Sequence, residues 1–227
     1  MTDLKKLAAQ KAATLVKDKT VVGLGAGSTI AHLVDFLNAS LQSGLDLQFV
    51  TSSFSTLQLL HTKKLPVLQT EFLSQIDIYF DGCDQMDRQL NALKSGGGIH
   101  TQEKLLAAMA KEFVLIGDET KLVESFDLKY PVVLEILPQS AAFVSRKIEE
   151  IFQVAKMVMR MNDKKDGPVI TENGNYLVDA YFESWPEIQS INPIFKNVPG
   201  IVETSLFYSM ATKAIVAGNE GVVVLES

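Results

Sequence analysis

Positive charge is scarce: 21 lysines and arginines face 27 acids, a net charge of −6. That balance argues against a nucleic-acid partner, since binding a phosphate backbone needs a clustered basic face. An anionic ligand would have to be held by local donors rather than by the field of the whole molecule. Cysteine occurs once, at Cys83, which excludes an internal disulfide and suits a reducing compartment. His32, His61 and His100 are scattered along the chain. No run of about 18 apolar residues is present to span a bilayer. The opening Met1-Thr2-Asp3-Leu4-Lys5-Lys6 has no apolar core of signal-peptide length. The expectation is a soluble cytoplasmic protein with no nucleic-acid and no membrane partner. Repeats and low-complexity tracts are missing too.

What is present is a sizeable core: 47% of 227 residues are hydrophobic, enough for one large or two modest domains. Leu4, Leu7, Ala8, Leu15 and Val16 share a helical face, and Ile30, Leu33, Val34 and Leu37 another. Apolar runs at Thr20–Leu24, Leu47–Val50, Pro66–Leu68, Ile76–Phe80 and Phe113–Ile116 read as strands, with Leu57–Leu60 as a short helix between the second and third. The alternation implies an α/β fold: a Rossmann-like, mainly parallel sheet with helices on both faces.

After Pro131 the pattern changes. Val132–Leu137 reads as a strand, and Val144, Ile148, Ile151, Phe152 and Ala155 as a helical stripe. Met157–Met159 follows as a strand, then a hairpin of 169–171 with Tyr176–Ala180 around Asn173-Gly174. A weaker helix at Pro186–Lys196, split by Pro193, precedes a strand at Gly200–Phe207. This β-α-β-β-α-β order predicts a smaller ferredoxin-like α+β domain. The expected division is 1–130 with 208–227 as the catalytic domain and 131–207 as the smaller one. The tail, Lys213–Ala217 and Val222–Leu225, is expected to return to the first sheet as a hairpin.

The first strand runs into Gly23-Leu24-Gly25-Ala26-Gly27-Ser28-Thr29. Serine stands where a dinucleotide fingerprint would place its third glycine, and the second strand ends in Thr51-Ser52-Ser53 with no acid for a ribose. There is no Gly-Lys-Ser/Thr either. A compact nest with Ser28 and Thr29 opening a helix suits a single phosphate; a plain tight β–α turn is the bland alternative.

Chemistry concentrates between Asp81 and Glu103. Asp81-Gly82-Cys83-Asp84-Gln85-Met86-Asp87 ends a strand, and Lys94-Ser95-Gly96-Gly97-Gly98 precedes a helix carrying Glu103. In an open α/β sheet, that edge is where ligands bind. Carboxylates, a lysine and a glycine nest there suggest proton transfer on a small anionic substrate. Lys94 beside a carboxylate can steady a developing enediolate oxygen while the carboxylate moves the proton. Asp81, Asp84 and Asp87 together invite a divalent metal. The motif lacks histidine, and an all-carboxylate magnesium site usually enlists substrate phosphates as well, so no metal is expected. Asp87 reads as a solvated turn residue, Cys83 as a small residue packed under the loop, and Thr101 as a helix N-cap. Glu103 has a structural alternative, complementing the helix dipole. Lys121, in a turn at the same sheet edge, either reaches the ligand or is solvated.

These pieces, with Glu103-Lys104, Asp118–Lys121, Gly167–Asn175 and Pro199–Glu203, resemble ribose-5-phosphate isomerases of the A type along nearly the whole chain. The resemblance implies a cofactor-independent interconversion of ribose 5-phosphate and ribulose 5-phosphate by a homodimer or a dimer of dimers. It implies Glu103 as the general base, with Asp81, Asp84 and Lys94 assisting ring opening and holding the enediol oxygens. Ser28, Thr29 and Lys121 would bind phosphate along with the glycines at 25, 27, 96 and 97 (Gly25, Gly27, Gly96, Gly97), and Lys5 would reach in. The chain departs from the usual family pattern at Ala26 for threonine, Cys83 for alanine, Gln85 for glutamate and Gln102 for arginine. Ser95 and Ser205 replace glycines. A divergent paralogue acting on another phosphosugar stays open. So does a non-catalytic phosphosugar-sensing module, although sensors of that kind carry an N-terminal DNA-binding helix pair and only one helix precedes the first strand here.

Overall fold

The computed structural model describes residues 3–152 and 154–227, with Ala155 by its backbone alone; Met1, Thr2 and Gln153 lie outside it. The chain begins with α1 (Leu4–Ala13), whose N-cap Asp3 accepts the Lys6 N–H at 3.2 Å. The helix stops at Ala13, short of Leu15 and Val16, and buries Ala8, Ala9 and Ala12. Small residues therefore let its backbone lie close to the sheet. Next come β1 (Thr20–Leu24), α2 (Ser28–Gln42), β2 (Leu47–Thr51), α3 (Phe54–Thr62) and β3 (Ile76–Asp81). Two very short strands, β4 (Gln85–Met86) and β5 (Ala92–Leu93), precede α4 (His100–Met109) and β6 (Ala110–Asp118). The second half holds β7 (Val132–Ile136), α5 (Ala141–Ile151), β8 (Val154–Met159), β9 (Tyr176–Phe182), α6 (Ile188–Lys196) and β10 (Ile201–Thr204). The chain closes with β11 (Leu206–Phe207), β12 (Lys213–Gly218) and β13 (Gly221–Glu226).

The main sheet has the order β13-β12-β6-β3-β1-β2. All neighbours are parallel except the β12–β13 hairpin. Side chains alternate across it: Ile78, Phe80, Val114 and Ile116 enter one apolar cluster with α1 and α2, while Tyr79, Phe113 and Leu115 enter the other, beneath α4. From β1 the chain crosses to β2 on one side, and from β3 to β6 on the other. The crevice between β1 and β3 is thus a topological switch point, where strand-end loops diverge and a ligand finds room.

The second sheet is antiparallel in the order β10-β7-β9-β8, which is the ferredoxin-like arrangement with its own apolar cluster. Several expectations are corrected here. The helical stripe ends at Ile151, and backbone from Val154 onward is strand. Pro193 does not split α6; fully buried Ile191 and Phe195 anchor that helix, and Asn192 ties it to the Leu206 carbonyl. Residues 66–68 and 169–171 contribute only isolated bridges, Val67 to Phe49 and Ile170 to Tyr176. The strand expected over 200–207 is divided at Ser205, whose N–H donates to the Val133 carbonyl and whose hydroxyl accepts the Val133 N–H, both at 2.8 Å. Beyond it, β11 joins β5 and β4 in a small third sheet. Among the described residues, no helix is long and apolar enough to cross a membrane.

Candidate active site

Strand alternation builds the site's floor. Tyr79 and Asp81, two apart on β3, point to the same face, and the Tyr79 phenol donates to Asp81 Oδ2 at 2.6 Å. The other oxygen, Oδ1, accepts N–H groups from Gly82 at 2.8 Å and Ala26 at 3.3 Å. This carboxylate lies directly under the glycine loop: a Cβ at Gly25 would stand 1.9 Å from Asp81 Oδ1. Gly25 therefore makes room for Asp81 rather than facing the ligand. Gly27, at φ +100°, turns the chain into α2, whose first N–H groups lack intrahelical partners.

Lys94 is the meeting point. Its Nζ lies 2.9 Å from Asp81 Oδ2 and 3.3 Å from Glu103 Oε1, and it also donates to the Gly82 carbonyl. All three side chains are buried. Burial pushes the Glu103 carboxyl up to about 8, helped by the Asp81 charge and outweighing the Lys94 ammonium. Burial works against the Lys94 ammonium as well, yet Asp81 and Glu103 together hold it above its ordinary range. One permanent cation is thus flanked by an anion and by a carboxyl group able to exchange its proton near neutrality. Cys83 packs beside them, and burial raises its thiol to about 12, leaving it protonated and inert.

These groups open into a cleft of about 340 Å³. Asp81, Asp84, Lys94 and Glu103 line it, as do Gly96 and Gly97. Asp84 accepts the Gly96 N–H at 2.8 Å, bracing the glycine turn. Gly27, Ser28 and Thr29 line it from the α2 end. Lys5 also faces it, donating to Ser28 Oγ at 3.1 Å, and Lys121 does so from the turn after β6. Gly25 is the predicted site residue that lies off the cleft wall. Asp87 is buried and turned away, accepting from the Asn91 side chain at 2.8 Å and the Asn91 N–H at 2.9 Å, so it is not the solvated residue expected. Among the described residues, no group of three or more His, Cys, Asp or Glu side chains is arranged to hold a metal.

Other residues went unforeseen. Tyr79 was legible in principle from its spacing to Asp81. Arg160 grips Asp179 through two nitrogens, at 2.6 and 3.2 Å, and donates to the Ser95 carbonyl at 2.8 Å, tying the glycine turn to the second sheet. Lys104 faces away from the cleft, bonded to Glu203 at 3.0 Å and to Thr204. Thr101 is not the cap: Ile99 is, with no side-chain bond, and the Thr101 hydroxyl donates to Glu135 instead.

Residues 48–221 match the family described as ribose 5-phosphate isomerase A (phosphoriboisomerase A). The chain is similar to ribose-5-phosphate isomerase A of Pyrococcus horikoshii, 35% identical over 226 residues, or 99% of this chain and 98% of that one. Ribose 5-phosphate isomerase A from Methanocaldococcus jannaschii has a solved structure that superposes with a TM-score of 0.91 at 34% identity, covering 99% of both chains. A D-ribose-5-phosphate isomerase in complex with phospho-erythronic acid superposes with a TM-score of 0.93, also at 34% identity, over 99% of this chain and 98% of that one. Similarity that runs through both sheets at this identity decides the matter, and the chain belongs to the ribose 5-phosphate isomerase A family.

Proposed function

We propose that the chain interconverts D-ribose 5-phosphate and D-ribulose 5-phosphate through an enediol, with Glu103 carrying the proton. The observation behind this assignment of roles is the single ammonium of Lys94 between two buried carboxyl groups, in a cleft that also takes in the α2 N-terminus and Lys121. Aldose–ketose isomerisation oxidises C2 and reduces C1 of the same molecule, so it needs no outside redox partner. Asp81 and Asp84 assist opening of the sugar ring. Ionised Glu103 removes the C2 proton, Lys94 offsets the charge growing on the C1 oxygen, and the proton that makes this oxygen a hydroxyl is the one the C2 hydroxyl gives up. The Glu103 carboxylic acid then returns the proton to C1 as the C2 hydroxyl becomes a carbonyl. Ser28, Thr29, the Gly27 turn and Lys121 hold the phosphate, with Lys5 beside them. The phospho-erythronic acid held by one solved relative is a phosphorylated sugar acid, which fits a cleft selecting a phosphosugar.

Residues 1–130 with 208–227 form the catalytic unit in this reading, and 131–207 the smaller one; the second sheet's own apolar cluster supports this, with Leu93 and Phe126 reaching into it and Phe207 into the main sheet's. A homodimer or dimer of dimers is the assembly this reading carries, and light scattering tests it. A cytoplasmic location is supported by the lone cysteine. The activity is tested by incubating the protein with ribose 5-phosphate and following ribulose 5-phosphate by NMR. Turnover abolished by Glu103→Gln supports the assignment, and full turnover in that variant refutes it. Binding without turnover in the parent protein makes it a sensor instead.

A further inference from the structure

Glu135 sits in the middle of β7 with 0% exposure, and no lysine or arginine forms an ion pair with it among the described residues. A buried charge without a counter-ion is costly unless donors surround it. Four neutral donors do. The Thr101 hydroxyl bonds Oε2; Oε1 accepts from the Thr171 hydroxyl at 2.8 Å and from the amides of Asn173 and Asn175 at 2.9 and 2.8 Å. Gln102 joins through Asn173, donating to Asn173 Oδ1 at 2.6 Å. The two residues immediately before Glu103 are therefore both tied to one carboxylate on another strand. The helix they belong to has no side-chain cap of its own, so this hub does the work of one. Glu135 is not part of the cleft wall and touches no reacting atom.

We infer that Glu135 is a positioning residue for the isomerisation: through Thr101 and the Asn173–Gln102 pair it fixes the first turn of α4 and with it the aim of Glu103. The inference rests on Glu103 being the proton carrier. An ionised carboxylate offers lone pairs enough for all four donors, whereas a glutamine in its place presents an NH₂ group to one side and loses acceptors. Charge, not merely shape, is what the hub requires.

The test uses the whole protein and ribose 5-phosphate, comparing Thr101→Val, Thr101→Ser, Glu135→Gln and the Thr101→Val/Glu135→Gln double variant. Misaiming a base by a fraction of an ångström costs rate rather than binding, so Thr101→Val should lose about tenfold in kcat with KM within about twofold. Thr101→Ser, which keeps the hydroxyl, should recover the parent kcat. Glu135→Gln should lose at least as much as Thr101→Val, and the double variant no more than Glu135→Gln alone, because both act through one hub. Parent kcat in Thr101→Val overturns the inference, as does additive loss in the double variant. If Glu135→Gln does not fold, the valine and serine pair decides. Glu103→Gln run alongside separates the two failures: activity there sinks the proton carrier itself, whereas an inactive Glu103→Gln with a fully active Thr101→Val sinks only the hub.

Discussion

Glu103 sits in the first turn of α4 and Glu135 is bonded to that turn through Thr101; both are buried, and the protein treats their protons in opposite ways. Around Glu103, burial and the Asp81 charge prevail over one ammonium, and its carboxyl rises to about 8. Around Glu135, burial also favours the neutral acid, but bonds from Thr101, Asn173, Asn175 and Thr171 outweigh it and hold the group below its ordinary value. Burial alone therefore does not set proton affinity in this molecule; the number and kind of donors do. The group proposed to take and return a proton is left short of donors. One that must stay ionised is saturated with them.

The sharpest way to break this contrast is Glu103→Gln, which should lower turnover by roughly 10²–10⁴-fold while calorimetry still registers binding of the phosphosugar. Lys94→Met comes next, leaving two buried carboxyl groups without their cation; among the described residues, Glu103 then has no donor in its place and Asp81 only Tyr79, Gly82 and Ala26. It should cost about 10²–10³ in kcat and roughly 3–5 kcal/mol of stability at pH 8 in urea unfolding, with a smaller stability loss at pH 5, where protonation relieves the pair. The pH dependence follows in size. Since the base must be ionised, kcat/KM should climb about tenfold per pH unit toward pH 8 and then level off. Stability should run the other way for this group. Its folded value of about 8 exceeds the ordinary 4.5, so its contribution is complete below about 4.5 and is lost as pH rises through 8. Glu135, lowered on folding, contributes above its ordinary value and loses that contribution as acid is added. Melting temperatures of Glu103→Gln should accordingly gain on the parent between pH 5 and pH 9, and a constant difference would contradict the assigned environments. The smallest effect belongs to Ser28→Ala, where losing one donor to a charged phosphate should raise KM about tenfold at unchanged kcat.

Much of this was legible in the residues because it is local. Asp81 is two residues from Tyr79 and ends an apolar run; Gly27 and Ser28 mark a strand-to-helix turn; Glu103 sits in a first turn. The succession of strands and helices along the chain, and the parallel and ferredoxin-like classes it implies, followed from hydrophobic period and connection rules, whereas the spatial strand order did not. The Glu135 hub was not readable. It draws on Thr101, on β7 and on the turn from Thr171 to Asn175, which only tertiary folding brings together. The hint was a lone acid inside the buried run Val132–Ile136. Thr101 was misread as a cap because cap preference is local and its bond is not. Asp87 was misread as solvated because Asn91, which buries with it, is no stronger signal in sequence than any other turn residue. Pro193 shows tertiary burial overriding a local breaker.

Ser95 and Ser205 send their hydroxyls to the same short stretch. Ser95 donates to the Pro131 carbonyl at 2.6 Å, and Ser205 accepts from Val133. The Ser205 carbonyl meanwhile accepts the Lys94 N–H at 3.0 Å. A residue bonded to the Lys94 backbone on one side and to the second sheet on the other makes a poor swivel. Clamshell opening between the two sheets would strain the backbone that carries the Lys94 ammonium.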